Sequence, residues 1–413
     1  MVEVRAFKGV RANPESVEKI AELPYDVYSG DEARNIVSKR PDSFMKIDRA
    51  ETMFPKDTSP YETKVYEKAR DELYKMIKKG DFIQDEEPKY YLYTLIRNGR
   101  SQIGLVATCS IDDYLDNVIL KHELTREEKE KDRINHVDYC DANTGPIFLT
   151  YKNEDKIDKI INKWIDEHDP VYDFKSEDGI RHIVHIVDNK DVITDIRNAF
   201  KQVKNLYIAD GHHRCASAVK VGMKRRQENP NYKGNEEFNY FLAVIFPHNQ
   251  LKILEYNRLV KDLNENLPDD FIVKVKEDFE LKKSGNQFIQ PEKKGQFSLY
   301  LEEKWYLFEI KSNLVPKDCV ESLDVSILQN NIFDKILNIK DPRTDDRIKF
   351  VGGIRGYKEI EKEVKEGMAA GFVMYPTSIE ELIDVADNNL LMPPKSTWFE
   401  PKLRSGIFVH LLK

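Results

Sequence analysis

The stretch LYIADGHHRCASAVKVGMKRR, residues 206–226, constrains this chain more than any other. Residues 206–209 are an unbroken apolar run of strand length, and residues 215–223 carry apolar positions at helical spacing. Residues 210–214 therefore make a strand-to-helix turn, the kind of place where open α/β sheets bind ligands. Five consecutive positions there hold Asp210, Gly211, His212, His213 and Arg214, in a chain with only nine histidines. Gly211 permits a positive φ or a close backbone approach. The N–H groups at the start of the following helix form an anion site that Arg214 can reinforce. Adjacent helical side chains point about 100° apart, so His212 and His213 are not placed to share one metal ion. Asp210 offers a hard oxygen ligand suited to Mg²⁺.

Composition limits what that turn can serve. The 413 residues suffice for two or three domains with real cores. Lysine and arginine number 65 against 73 acidic residues, a net charge of −8, which argues against a protein built to bind nucleic acid. No apolar run approaches the roughly 20 residues of a membrane span, and MVEVRAFKGV lacks the apolar centre of a secretory signal. The expectation is a soluble, cytoplasmic protein. Cys109, Cys140, Cys215 and Cys319 are scattered without C-x-x-C spacing, which indicates neither a disulfide framework nor a structural zinc site.

The organisation is a mixture of helix and strand, of the α+β class. Residues 14–40 and 60–80 read as helical, the second from a serine cap to Gly80. KYYLYTLIRNGRSQIGLVATCSI alternates around Asn98-Gly99, a strong hairpin signal. Further on come helical EDKIDKIINKWIDEH and DVITDIRNAFKQV, strand-like IRHIVHIV and NYFLAVIF, and the hairpin-like HNQLKILEYNRLV. Residues 264–318 are more polar, with strand-like FSLYLEEKWYLFEI. The C-terminal part suggests a strand, a helix capped at Thr377 or Ser378, a proline-rich loop and a last strand.

Three further constellations carry charge in chemically useful patterns. KHELTREEKEKDR places His122 and Glu123 directly after the apolar NVIL, with Arg133 beyond, while 127–131 reads as a solvated charged helix. MPPKSTWFEPKLRSG stiffens the approach to Lys395 with Pro393 and Pro394 and adds Ser396, Thr397, Lys402 and Arg404, a set suited to a phosphate or carboxylate. ELPYDVYSGDEAR sets Asp26 behind Pro24-Tyr25 in a turn. P-loop, dinucleotide-fold and protein-kinase motifs are absent, and VGGIRG is too loose to count among them.

ADGHHR together with PPKSTWFEPK resembles the paired motifs of the free-serine kinases of the ParB/sulfiredoxin fold. Through PYDV, KHE, KDR, GPIFLTY, ADGHHR, YNRLV and MPPKSTWFEPKLRSG the chain also resembles the domain of unknown function 1015 family. The resemblance implies phosphoryl transfer between ADP or ATP and free L-serine, in either direction, with Mg²⁺. It assigns Asp210, His212, His213 and Arg214, with Gly211, to the nucleotide phosphates and the metal. His122, Glu123, Arg133 and Arg258 join the nucleotide side, and Lys395, Ser396, Thr397, Lys402 and Arg404 the serine or phosphoserine side. For the catalytic base, Glu15 in RANPE and Asp26 in PYDV both remain candidates. In sulfiredoxins the reactive cysteine stands where this chain has His212, which argues against sulfinic-acid reduction.

The expected division is an N-terminal core part over 1–30, an α/β insertion over 31–200 and a ParB/sulfiredoxin-like unit over 201–263. A solvated subdomain over 264–340 and a C-terminal subdomain over 341–413 complete it. Alternatives are a phosphoserine or other small-molecule phosphatase using the same anion site, and a non-catalytic nucleotide-binding regulator of ParB type.

Overall fold

Asn98 and Gly99 sit at φ 50° and 77°, the left-handed pair that a two-residue hairpin loop demands. They join Tyr90–Arg97 to Arg100–Ser110 in an antiparallel hairpin whose last pair is Arg97 with Arg100. All residues from 1 to 413 are described in the structure, a computed structural model. The protein is a mixed α/β structure with several sheets, and the chain divides into two compact units.

The first unit comprises residues 1–121, 125–251 and 401–413. Its main sheet has nine strands, and the hairpin lies in its middle. One path runs Ile119–Leu120, Leu206–Asp210, Ile147–Tyr151, Tyr240–Pro247, then the hairpin, Arg181–Val187 and Tyr172–Lys175, with Val4–Arg5 pairing onto Arg100–Ser110. Two neighbour pairs are parallel: Leu206–Asp210 with Ile119–Leu120, and Tyr240–Pro247 with Ile147–Tyr151. Leu92, Leu105, Leu149, Phe200, Leu206 and Phe241 are fully buried against this sheet, each contributing about 1.5–3 kcal/mol by leaving water. A four-stranded sheet links Phe82–Gln84, Val10–Ala12, Phe408–Leu411 and Ala142–Asn143, so the C-terminal strand is held between N-terminal and central segments.

The second unit comprises residues 122–124 and 252–400. Its six-stranded sheet runs Phe279–Gly285, Lys304–Ile310, Gln296–Leu301, Ala370–Met374, Tyr256–Val260 and Ile348–Gly352. Leu259, Trp305 and Ile360 centre its core. Ile253–Leu254 pairs with Trp398–Phe399 in a separate two-stranded ribbon. No helix of either unit is long and apolar enough to cross a membrane.

Several expectations need correction. The helical pattern over 14–40 breaks into Val17–Ile20 and Gly30–Lys39, because Pro24 sits in the intervening turn and Ser29 starts the second helix with a capping box to Glu32. The next helix, Thr63–Lys79, ends at left-handed Gly80 as expected, but Glu62 and not a serine stands at its N-cap. Residues 253–260 form no hairpin: their two strands pair with different partners, Trp398–Phe399 on one side and Ile348–Gly352 with Ala370–Met374 on the other. Glu130 is not solvated. It is buried, receives the Thr125 hydroxyl at 2.5 Å and pairs with Lys220. Ser378 makes the cap of Ile379–Asp387 and closes a capping box with Glu381.

Candidate functional site

The strand Leu206–Asp210 runs between an antiparallel neighbour, Ile147–Tyr151, and a parallel one, Ile119–Leu120. Its register slips between Ile208 and Asp210, so that Asp210 stands opposite Phe148. A bulge of this kind re-aims the side chain at a strand end. Gly211 then takes φ 90°, ψ 31°, and the helix His212–Glu228 begins with no side chain capping it. Its first turn accordingly directs N–H groups out of the helix end. Ser217 anchors the helix by donating to the carbonyls of His213 at 2.6 Å and Glu130 at 3.2 Å, the latter on Glu127–Cys140. Lys224 and Arg225 pair with Asp138 on the same helix.

At the turn, Lys402 forms an ion pair with Asp210 Oδ2, and the Gly211 N–H donates to Oδ1 at 2.8 Å. Burial works to raise the Asp210 pKa, but the Lys402 charge and these hydrogen bonds outweigh it and hold the carboxyl at about 2. The side chain remains 41% exposed, so the ionised carboxylate is reachable. His212 is buried, and burial pushes its pKa down to about 4 against the opposing pull of Asp210, with His213 and Lys121 adding to the fall. It is a neutral imidazole at pH 7. His213 Nε2 accepts the Arg126 N–H at 3.0 Å, so this nitrogen carries no proton in that arrangement.

Arg214 turns the other way. Its guanidinium donates to the Pro146 carbonyl at 3.4 Å and to Ser405 Oγ at 3.3 Å, and lies 3.6 Å from Asp48 Oδ2. It passes so close to Gly145 that a Cβ there would come within 2.6 Å of Nη1. Tyr25 lies against two guanidiniums, Arg133 at 4.2 Å and Arg214 at 5.4 Å from the ring centroid. Burial raises the Tyr25 hydroxyl to about 12, with Arg133 opposing. Arg133 is buried and pairs with Asp132 at 2.8 Å.

The structure therefore brings Asp210 and Lys402 together, and brings Arg133 and Arg214 together on Tyr25. Asp26 lines a cavity with Arg133, while Glu15 is exposed on a turn whose Asn13 Oδ1 accepts its N–H at 3.1 Å. Arg404 is buried and committed to Asp178 and to Ser176 Oγ. The other expected residues belong to the second unit. There His122 is buried, and its carbonyl accepts the Met392 N–H at 2.8 Å. Glu123 and Thr397 are half-buried. Arg258 is buried, donates to the carbonyls of Tyr256 and, at 3.1 Å, Lys395, and has its pKa lowered to about 10 by burial. Lys395 takes φ 58° and sets its ammonium 5.4 Å from the centroid of Tyr256. Ser396 is buried, its hydroxyl on the Pro393 carbonyl at 2.6 Å and its own carbonyl on Thr377 Oγ1 at 3.0 Å. Sequence reasoning missed Tyr25 and Asp48. Tyr25 stood next to a singled-out aspartate, whereas Asp48 in KIDRA carries no motif at all.

At the end of this strand the structure thus sets an ionised carboxylate beside the uncapped start of a helix. The chain belongs to the family described as "Protein of unknown function (DUF1015)", whose model matches residues 4–326. No curated protein matches it. Among solved structures it is similar to a free serine kinase in complex with AMP, at 16% identity over 72% of this chain and 86% of that one, with a TM-score of 0.35. A mutant of the free serine kinase in complex with ADP is similar at 15% identity over 72% and 87%, TM-score 0.35. A conserved hypothetical protein from Pyrococcus furiosus is similar at 16% identity over 75% and 95%, TM-score 0.34. SbnI from Staphylococcus aureus, truncated at its C-terminus, is similar at 9% identity over 73% and 85%, TM-score 0.37.

Proposed function

We propose that this protein transfers a phosphoryl group between ADP or ATP and free L-serine, through a ParB/sulfiredoxin-like unit centred on the turn at Asp210. The observation that carries the reading is the Asp210 carboxylate, held ionised at about 2 yet 41% exposed, at the start of a helix with no capping side chain. A hard, ionised oxygen beside an anion-accepting helix end is what a magnesium–nucleotide site requires. Asp210 is the residue of this turn fitted to hold Mg²⁺, which when bound supplies neutralisation of phosphate charge.

This chain's own residues have separate tasks in that reading. Lys402, paired with Asp210, holds its ammonium at this turn, where it would also answer the charge of a phosphate oxygen. His212, neutral at pH 7, donates or accepts a hydrogen bond without adding charge. The motif resemblance supplies the substrate class, and assigns the serine end to Lys395, Ser396 and Thr397. Asp26 is preferred to Glu15 as the base, since it lines a cavity with Arg133 while Glu15 is exposed on a turn.

The test is incubation with L-serine, Mg²⁺ and either ADP or ATP, with detection of O-phosphoserine by mass spectrometry, and the reverse reaction from O-phosphoserine. Product with one nucleotide is expected, and Asp210→Asn should lower turnover by orders of magnitude while the thermal melt is retained. Absence of product with both nucleotides in both directions would remove the kinase reading.

A further inference from the structure

The C-terminal strand Phe408–Leu411 lies between Val10–Ala12 and Ala142–Asn143 in the first unit, and it turns one ionisable side chain inward. His410 is 2% exposed, and Phe7 packs edge-on against its ring with 5.6 Å between centroids. The two ring nitrogens reach two different elements. Nδ1 lies 3.1 Å from Asn143 Oδ1, and Nε2 lies 2.9 Å from Oε2 of Glu237, the first residue of the short turn Glu237–Asn239.

Both neighbours can only accept. Asn143 Oδ1 also takes the Leu242 N–H at 3.2 Å, so turning the amide over would set its NH₂ against that N–H, donor to donor. On the other side, burial works to raise the Glu237 pKa, but the hydrogen bond and charge of His410, together with Arg5, outweigh it and hold the carboxyl below its ordinary value. Arg5 pairs with Glu237 Oε1 at 2.8 Å and lies 4.6 Å from the centroid of the Tyr240 ring. Other charged groups on the surrounding elements are matched elsewhere: Arg11 with Asp85, Asp141 with Arg225 and Lys413, and Glu236 with the N–H groups of Lys233 and Gly234. A neutral imidazole has one N–H and would leave a lone pair facing an oxygen. Only the imidazolium satisfies both contacts, and Glu237 answers its charge.

We propose that His410 is a pH-sensitive latch on the C-terminal strand: as an imidazolium it ties residues 408–411 to Asn143 and Glu237, and loss of its proton frees that end of the chain. The fold selects the protonated ring, so the latch contributes stability that is full below the ordinary imidazole value of about 6.5 and is lost as pH rises beyond it. Glu237, whose carboxyl is depressed, sets the acid limit. Its share is present above the ordinary glutamate value of about 4.3 and is lost as pH falls below it. The opening is also bounded along the chain. Ser405 exchanges backbone hydrogen bonds with Glu22 at 2.9 and 3.0 Å, which keeps the preceding loop, with Lys402 on Asp210, in place when the strand beyond it loosens.

Nitrogen-15 NMR of the histidine-labelled full chain, with hydrogen exchange of the C-terminal strand read by mass spectrometry, tests this between about pH 6 and about pH 8.5. At the lower pH one ring should carry protons on both nitrogens, assigned by its disappearance in His410→Gln. Exchange of residues 408–411, corrected for its intrinsic rise with pH, should increase by about tenfold or more across the interval in the wild type. The corrected rate should be flat in His410→Gln, which has no proton to lose. Glu237→Gln keeps an acceptor but removes the charge, so the ring should give up its proton at lower pH. Should His410→Gln fail to fold, Glu237→Gln carries the test, its side chain being 28% exposed. A His410 ring singly protonated at about pH 6, a corrected exchange rate that stays level in the wild type, or a ring titration unmoved by Glu237→Gln would overturn the proposal. None of these readings depends on phosphoryl transfer, and Asp210→Asn should leave them as in the wild type.

Discussion

The low pKa of Asp210 comes from a residue 192 positions away, and this makes the pair testable as a unit. With Lys402→Met the largest influence lowering the carboxyl is gone and burial remains, so the Asp210 pKa should rise from about 2 toward or above the ordinary carboxylate value of about 4. Carbon-13 NMR of the labelled carboxyl would read this directly; an unmoved titration would mean that Lys402 does not hold the carboxylate in solution. The sign for stability follows from the depressed value. The native pair contributes stability that is present above about pH 4 and is lost as pH falls toward about 2. At the same scale, Lys395→Ala should lower kcat/KM for serine by about 1.5 to 3 kcal/mol, the loss that goes with one charged hydrogen bond, and unchanged kinetics would mean that its ammonium meets no substrate. Asp210 and the histidine pair were legible in sequence because they interrupt an apolar run at a turn. Lys402 was legible as a cation in a stiff loop, but its partner was not, since no local pattern links 402 to 210.

Among the elements, the strand-to-helix turn was the most legible, and its glycine explains why. Leu206–Asp210 is too apolar to leave the sheet, His212–Glu228 keeps helical spacing, and the joint needs one residue at positive φ. Gly211 at φ 90° supplies it, with Ile147 Cα no nearer than 3.7 Å to a Cβ placed there. Gly211→Ala therefore meets only ordinary van der Waals contacts but a strained backbone, and should cost about 1–2 kcal/mol in urea unfolding, with a larger relative loss of anion affinity as the helix start shifts. An unchanged midpoint would show that the turn relaxes without the left-handed conformation. The hairpin at Asn98-Gly99 and the capping box at Ser378 were legible for the same local reason. The segment 253–260 was misread because alternation identifies strands but not their partners, and here the bend between Ile253–Leu254 and Tyr256–Val260 sends them to different ones.

At the level of the whole chain, pH gives access to the second unit by itself. Burial raises the Asp324 carboxyl to about 7, against the Gly295 N–H that donates to both its oxygens at 2.8 and 3.0 Å. A folded pKa above the unfolded one means stability that is full below about pH 4 and is lost as pH rises through about 7. In a Trp164→Phe background, which leaves Trp305 and Trp398, both in this unit, unfolding followed by fluorescence should thus move to lower denaturant between about pH 4 and about pH 7. Asp324→Asn, which can still accept from Gly295, should be flat over that interval; an equal slope in both would mean that Asp324 is ionised throughout. What the sequence by itself determined is local and periodic: the mixed α/β class, most strands and helices, the glycine turn and its charged residues, and the family. These follow from side-chain period, backbone freedom and short-range capping, which neighbours along the chain decide. The tertiary structure alone decided that Lys402 holds Asp210 ionised, that Arg404 is spent on Asp178, that Glu130 is buried, and that Tyr25, Asp48 and Arg133 surround a cavity. Those outcomes depend on which distant groups meet and how much water they lose, and charge pairing and burial leave no period in the sequence.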